Sequence, residues 1–243
     1  RPSTVWPRRK SATATCKILI VRNDKLGDFM LSLPVFAALK HNLPHCELHA
    51  LVPAYTREMA EACPWIDRVI LDPGQQAGLS IQWQFIRQLR HAGYQALITL
   101  YSTTRVGLFG WLAGIPVRFA PATRIAQVFY NHRITQRRSK SLKPEHEYNL
   151  DLALAYLASQ GVNNPQKPEP PYLHFPAQET RSLRQAFIRE HAINANSKLI
   201  FVHPGSGGSA SNLRLEQYAE LITQLGANPS RHFVLSAGPG EQQ

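Results

Sequence analysis

The sequence is short of the features that define several protein classes. Its cysteines, Cys16, Cys46 and Cys63, are odd in number and show neither a C-x-x-C pair nor a Cys/His spacing, which argues against a disulfide framework and a zinc site and for a reducing compartment. The longest apolar stretches, Ala96 to Leu100 and Leu108 to Ile115, fall well short of the roughly 20 residues that cross a bilayer. There is no G-x-G-x-x-G, which disfavours a nicotinamide or flavin oxidoreductase, and no loop ending in G-K-[ST], so ATP hydrolysis is not indicated. The first 15 residues lack the apolar centre of a secretory signal and are expected to form a flexible basic leader. Acids are scarce as well: 16 Asp and Glu stand against 27 Lys and Arg, a net charge of +11.

What is present is ample core material, 44% hydrophobic residues in 243, enough for one large domain or two small ones. The cations cluster. Arg1, Arg8, Arg9 and Lys10 sit in the leader, and Arg133, Arg137, Arg138, Lys140 and Lys143 form a second run, neither with an acid among them. Such runs are either solvated loops or a surface for phosphates and anionic membranes. No helix-turn-helix or aromatic-interleaved basic pattern points to specific nucleic-acid binding.

Short β-branched runs alternate with helical periodicity. Strands are expected at Lys17 to Arg22, Glu47 to Val52, Arg68 to Leu71, Ala96 to Leu100 and Val117 to Phe119. Helices are expected at Asp28 to Asn42, Tyr55 to Ala62, Ile81 to Ala92, Val106 to Ala113 and Glu147 to Ser159. This alternation implies an α/β fold with a doubly wound parallel sheet over residues 16–162. Pro165, Pro168, Pro170, Pro171 and Pro176 mark a linker over 163–176. A second α/β unit opens at 177 with helices at Gln178 to His191 and Leu215 to Leu225 and strands at Lys198 to His203 and His232 to Ser236. Such domains usually need about 100 residues or more, so the chain is expected to be the front part of a longer protein.

Three junctions could carry chemistry, since ligands of open α/β sheets bind at the carboxyl ends of the strands. In Arg22-Asn23-Asp24-Lys25-Leu26-Gly27-Asp28, Asp28 either caps the following helix or takes a proton from an attacking hydroxyl, with Asp24 and Lys25 competing for a role. In Tyr101-Ser102-Thr103-Thr104-Arg105, Ser and Thr can cap a helix, while Arg105 could meet an anionic group of a substrate. In His203-Pro204-Gly205-Ser206-Gly207-Gly208-Ser209, glycines let backbone N–H groups converge on a diphosphate, unless the loop is only a connection. Glu145, His146 and Glu147 read as exposed helix-start charges rather than a metal site.

Two of these junctions, in this order and parted by the proline-rich segment, resemble glycosyltransferase family 9, the ADP-heptose:lipopolysaccharide heptosyltransferases. KILIVRNDKLGDFMLSLPVFAALK, residues 17–40, is similar to the family's opening strand, its Gly27-Asp28 pair and the Leu33-Pro34 inside the first helix. HPGSGGSASNLRLEQYAELI, residues 203–222, is similar to its H-P-G loop and the helix after it. Weaker similarity fills the interval. The resemblance implies a GT-B architecture of two Rossmann-like domains, the first holding a lipid-linked acceptor and the second, incomplete in this chain, holding the sugar nucleotide. It implies that Asp28 is the general base, that transfer inverts the anomeric centre, and that His203, Gly205, Ser206, Gly207 and Gly208 lie near the diphosphate of ADP-heptose, the donor substrate. It further implies no metal and no cofactor, a phosphorylated glycolipid acceptor at an anionic membrane, and a cytoplasmic place peripheral to the inner membrane; Asp24, Lys25, Ser102 and Arg105, from the junctions above, are the candidate acceptor contacts. The sequence departs from the pattern after the H-P-G loop, where Ser211, Leu213 and Arg214 replace Lys and an aromatic-Pro pair, and in lacking the later D-[TS]-G-x-x-H donor segment. Use of another nucleotide sugar, or a catalytically silent acceptor-binding role, are the alternatives.

Overall fold

The computed structural model describes residues 16–122, 128–173, 175–205 and 212–238. The expected leader, 1–15, and the loop glycines Gly207 and Gly208 with Ser206 lie outside the described residues. The chain divides into two compact units, Arg1–His174 and Phe175–Gln243.

The first unit is a parallel sheet of six strands: β1 Lys17–Val21, β2 Glu47–Val52, β3 Arg68–Leu71, β4 Ala96–Thr99, β5 Val117–Pro121 and β6 His132–Ile134. Their spatial order is β3-β2-β1-β4-β5-β6, with every neighbouring pair parallel. This is the doubly wound order expected of the Rossmann type, in which the chain reverses direction across the sheet between β1 and β4. The helices are α1 Leu26–Met30, α2 Leu33–Asn42, α3 Arg57–Glu61, α4 Leu79–Ala92, α5 Thr104–Leu112 and α6 Glu145–Ser159.

Alternation along β1 explains the two-faced core. Ile18 and Ile20 point into a cluster with Phe29 of α1, Phe36 and Leu39 of α2, and Leu152 and Leu157 of α6. Leu19 and Val21 point the other way, into Phe85 and Leu89 of α4 and Val106 and Phe109 of α5. A strand covered on both faces can be apolar throughout, which is why KILIV has no polar alternation.

Several local details go beyond the sequence expectations or differ from them. The helix expected over Asp28 to Asn42 is two helices, broken at Leu31 and Ser32. Pro34, having no N–H, cannot continue a ladder begun at Met30, and Ser32 uses its hydroxyl on the Phe29 carbonyl at 2.6 Å. Strand β6 was not anticipated, because its three residues, His-Arg-Ile, are half exposed and sit inside the cationic run. Cys16 and Cys46 are joined in a disulfide. They precede β1 and β2 by one residue each, and the register Lys17↔Glu47 sets them side by side with their Cα atoms 4.5 Å apart. Finally, much of the proline-rich stretch is laid along the first unit: Asn42 exchanges two hydrogen bonds of 2.9 Å with the backbone of Gln166, and Tyr172 and Leu173 pack against the core.

The second unit pairs β7 Lys198–Val202 with β8 Arg231–Leu235 in parallel, with α7 Ala177–Glu190 and α8 Leu215–Gly226. Among the described residues, no helix is long and apolar enough to cross a membrane.

Candidate functional site

Arg22 follows β1 directly and extends its ladder, its N–H donating to the Leu51 carbonyl at 3.2 Å. Its side chain is only 3% exposed. A guanidinium so placed must be surrounded by anions and acceptors. Nε donates to Asp24 at 2.7 Å and Nη2 to the other Asp24 oxygen at 2.9 Å, a bidentate fork. Nη2 also lies 3.1 Å from the Asp28 carboxylate. Nη1 donates to Glu145 at 3.1 Å and to the Asn149 side-chain carbonyl at 3.2 Å, both at the start of α6. Asn149 in turn donates to the Leu31 carbonyl at 3.2 Å, fastening α6 to the turn after α1.

Arg138, from the cationic run, closes the far side. It donates to Glu145 at 2.5 Å and to Gln136 at 2.8 Å, and burial pushes its pKa down against the pull of Glu145. The cluster therefore holds three carboxylates (Asp24, Asp28, Glu145) and two guanidiniums, one negative charge in excess. The excess means that one carboxylate can accept a proton without leaving a guanidinium unpaired. Burial raises the pKa of Asp24, which Arg22 opposes. Asp28 is the most open of the three, its side chain 34% exposed against 18% for Asp24 and 28% for Glu145.

Asp28 is not the helix cap: Lys25 occupies the N-cap of α1, and Asp28 is the third helical residue, its carboxylate turned to Arg22. Lys25 is exposed at the same corner.

A second cluster lines the ends of β3 and β4. Asp72, its side chain 5% exposed, pairs with Arg105 and accepts from the Asn23 side chain, while the Gly74 N–H donates to it at 2.8 Å. Arg105 also lies over the Phe109 ring at 5.0 Å, so part of its charge is already met within the protein. Thr103 caps α5, accepting from the Val106 N–H at 3.2 Å, and Ser102 is half buried beside it. Arg22 reaches the Tyr101 ring at 5.9 Å, linking the loops after β1 and β4 across the point where strand order reverses. Asp24, Lys25, Asp28, Ser102 and Arg105 thus gather at one end of one sheet, where ligands of such folds bind.

Sequence reasoning overlooked Arg22, Asp72, Glu145 and Asn149. One signal was available for Arg22: an arginine closing a β-branched run must bury its charge, and so needs carboxylates nearby. Glu145, read as an exposed helix-start charge, is a shared partner of both arginines.

In the second unit His203 and Gly205 follow β7. His203 Nδ1 lies 3.1 Å from both the carbonyl and the hydroxyl of Ser236, which follows β8, so two strand ends are tied together there. Asn212 donates to the Pro204 carbonyl at 3.1 Å.

The sequence is 47% identical over 229 residues to a Haemophilus influenzae protein named "Putative glycosyltransferase", covering 93% of this chain and 65% of that protein. The family 9 glycosyl transferase of Veillonella parvula has the same fold, with a TM-score of 0.74 at 19% identity over 93% of this chain and 64% of that one. The chain resembles glycosyltransferase family 9 in fold and a curated glycosyltransferase in sequence. It is also 25% identical over 214 residues to the lipopolysaccharide heptosyltransferase 2 of Salmonella typhimurium, covering 86% of this chain and 60% of that protein. It spans somewhat less than two thirds of the length of these curated relatives. No protein-family model matches it. The two parallel α/β units accord with the GT-B-like family 9 fold.

Proposed function

We propose that this chain carries the acceptor-side chemistry of a glycosyltransferase, with Asp28 as the base that takes the acceptor's proton. The observation that carries this reading is the Arg22 cluster: an open carboxylate is held 3.1 Å from a buried guanidinium at the strand-order reversal, in a group with one excess negative charge. In the proposed step, the acceptor hydroxyl gives its proton to an Asp28 oxygen as its own oxygen attacks the anomeric carbon. The bond from that carbon to the diphosphate breaks on the opposite face, so the configuration inverts. Arg22 fixes the carboxylate's direction. Neither step calls on a metal or a cofactor.

The resemblance supplies the finer identities. ADP-heptose is the proposed donor, its diphosphate received by the loop from His203 through Gly205, Ser206, Gly207 and Gly208, and an inner-core lipopolysaccharide hydroxyl is the proposed acceptor, met by Asp24, Lys25, Ser102 and Arg105. Such an acceptor places the protein on the inner face of the membrane, in the cytoplasm. Of the cationic run, Arg133, Arg137 and Lys140 are the exposed members that would face anionic lipid, whereas Arg138 is turned inward. The deciding experiment follows heptose transfer from ADP-heptose to deacylated inner-core acceptor by mass spectrometry, using the full-length protein, beside UDP- and GDP-sugars. A heptosylated product with ADP-heptose alone supports the reading; no product, or product with a different donor, overturns it.

A further inference from the structure

The amino ends of β1 and β2 lie at the opposite end of the strands from the candidate active site, and they bring together three side chains which that site does not use. Cys16 and Cys46 face each other there, and His45 precedes Cys46 in the chain. The two sulfurs and an imidazole nitrogen all lie within 4.8 Å of one another. Two thiolates and an imidazole suit zinc, whose ligands at about 2.0 to 2.3 Å around a tetrahedron stand roughly 3.5 to 4 Å apart. Cys46 is 2% exposed and gives the group a dry side, Cys16 is half buried, and His45 is exposed, leaving a route in and a fourth position for water. Lys40, paired with Asp67 at 2.7 Å, donates to the Cys46 carbonyl at 3.0 Å and so fixes the backbone that carries the Cys46 sulfur. The strands on either side hold the donors in place through the backbone bond from Glu47 N–H to the Cys16 carbonyl at 2.7 Å.

We propose that, in its reduced form, this chain binds one thiophilic d10 cation of the zinc class through Cys16, Cys46 and His45, and that closing the Cys16–Cys46 disulfide excludes it. The same side chains then serve two states. A small-molecule thiol opens the disulfide: two of its molecules are oxidised to their own disulfide, and their hydrogens pass to the two protein sulfurs. Zinc next displaces those two protons, forming two Zn–S bonds and releasing two H⁺ to solvent.

The test uses the chain reduced with dithiothreitol, freed of it without oxygen, and titrated with Co²⁺ as a coloured substitute for Zn²⁺. The expected result is one equivalent bound with a thiolate-to-cobalt charge-transfer band, discharged by Zn²⁺ and missing from the oxidised chain. Cys16→Ser, at the half-buried position, should keep the fold and lose the band, and Cys63→Ala should keep both. In the wild-type protein, bound Zn²⁺ should shield Cys16 and Cys46 from iodoacetamide, a readout that needs no variant. The proposal is overturned by a reduced chain that binds no cobalt, by a band that persists in Cys16→Ser, or by alkylation at equal rates with and without zinc.

Discussion

Replacing Arg22 by Gln removes a cation that is 3% exposed and holds four side chains. The carboxylates Asp24, Asp28 and Glu145 would then face Arg138 alone, and the local charge would move from one excess negative to two. Breaking a fully buried pair by deleting one partner costs about 3 to 5 kcal/mol. The partners here are 18–34% exposed, so solvent relieves part of the strain, and the low end, about 3 kcal/mol, is the expected loss. For a protein of this size that corresponds to a fall in Tm of roughly 6 to 12 °C for the first unit. Calorimetry and urea unfolding measure it, with circular dichroism at low temperature confirming that the variant folds. Adding Glu145→Gln to Arg22→Gln should restore stability, giving a coupling above about 1 kcal/mol, because one of the stranded carboxylates is gone. Loss of the exposed Arg57–Glu61 pair should leave Tm unchanged. A fall below about 2 °C for Arg22→Gln, or no recovery in the double variant, would refute the reasoning that the carboxylates depend on Arg22.

Other consequences are more local. Burial lowers the pKa of His49, against the pull of Glu47, so the neutral ring is the folded form; its stabilisation is present above pH 6.5 and is lost as pH falls through the folded value. Urea midpoints between pH 7.5 and 5 should therefore decline more steeply in the wild type than in His49→Gln. Burial pushes the Cys63 thiol up to about 11, leaving only ~3 in 10,000 as thiolate at pH 7.5, so native protein should resist iodoacetamide at Cys63 and react there once unfolded. A Cβ at Gly107 would lie 2.9 Å from both the Phe129 Cβ and Tyr130 Cε2. Gly107→Ala should cost about 1 to 3 kcal/mol in unfolding free energy, despite its gain in helix propensity.

The parallel architecture was legible because each buried strand is a short β-branched run and each helix has its apolar stripe, as in KILIV and in α4 with Phe85, Ile86 and Leu89. The placement of Asp24, Lys25, Asp28, Ser102 and Arg105 at the strands' carboxyl ends followed from that topology. What escaped the sequence lies in pairings between distant segments. Glu145 and Asn149 are 123 and 127 residues from Arg22, and no local pattern couples them. The Cys16–Cys46 contact depended on the β1–β2 register, which spacing rules for cysteine do not contain. Strand β6 was hidden because its pairing with β5, and not its own composition, makes it a strand.

The central claim is that Asp28 takes the proton in glycosyl transfer. Single-turnover rates of the full-length protein with ADP-heptose and acceptor, for the wild type and Asp28→Asn, test it most directly. The account predicts a rate at least about 100-fold lower in the variant, with donor affinity by titration calorimetry and Tm unchanged. An Asp28→Asn protein that transfers at the wild-type rate would contradict it and leave Asp28 as no more than a partner of Arg22.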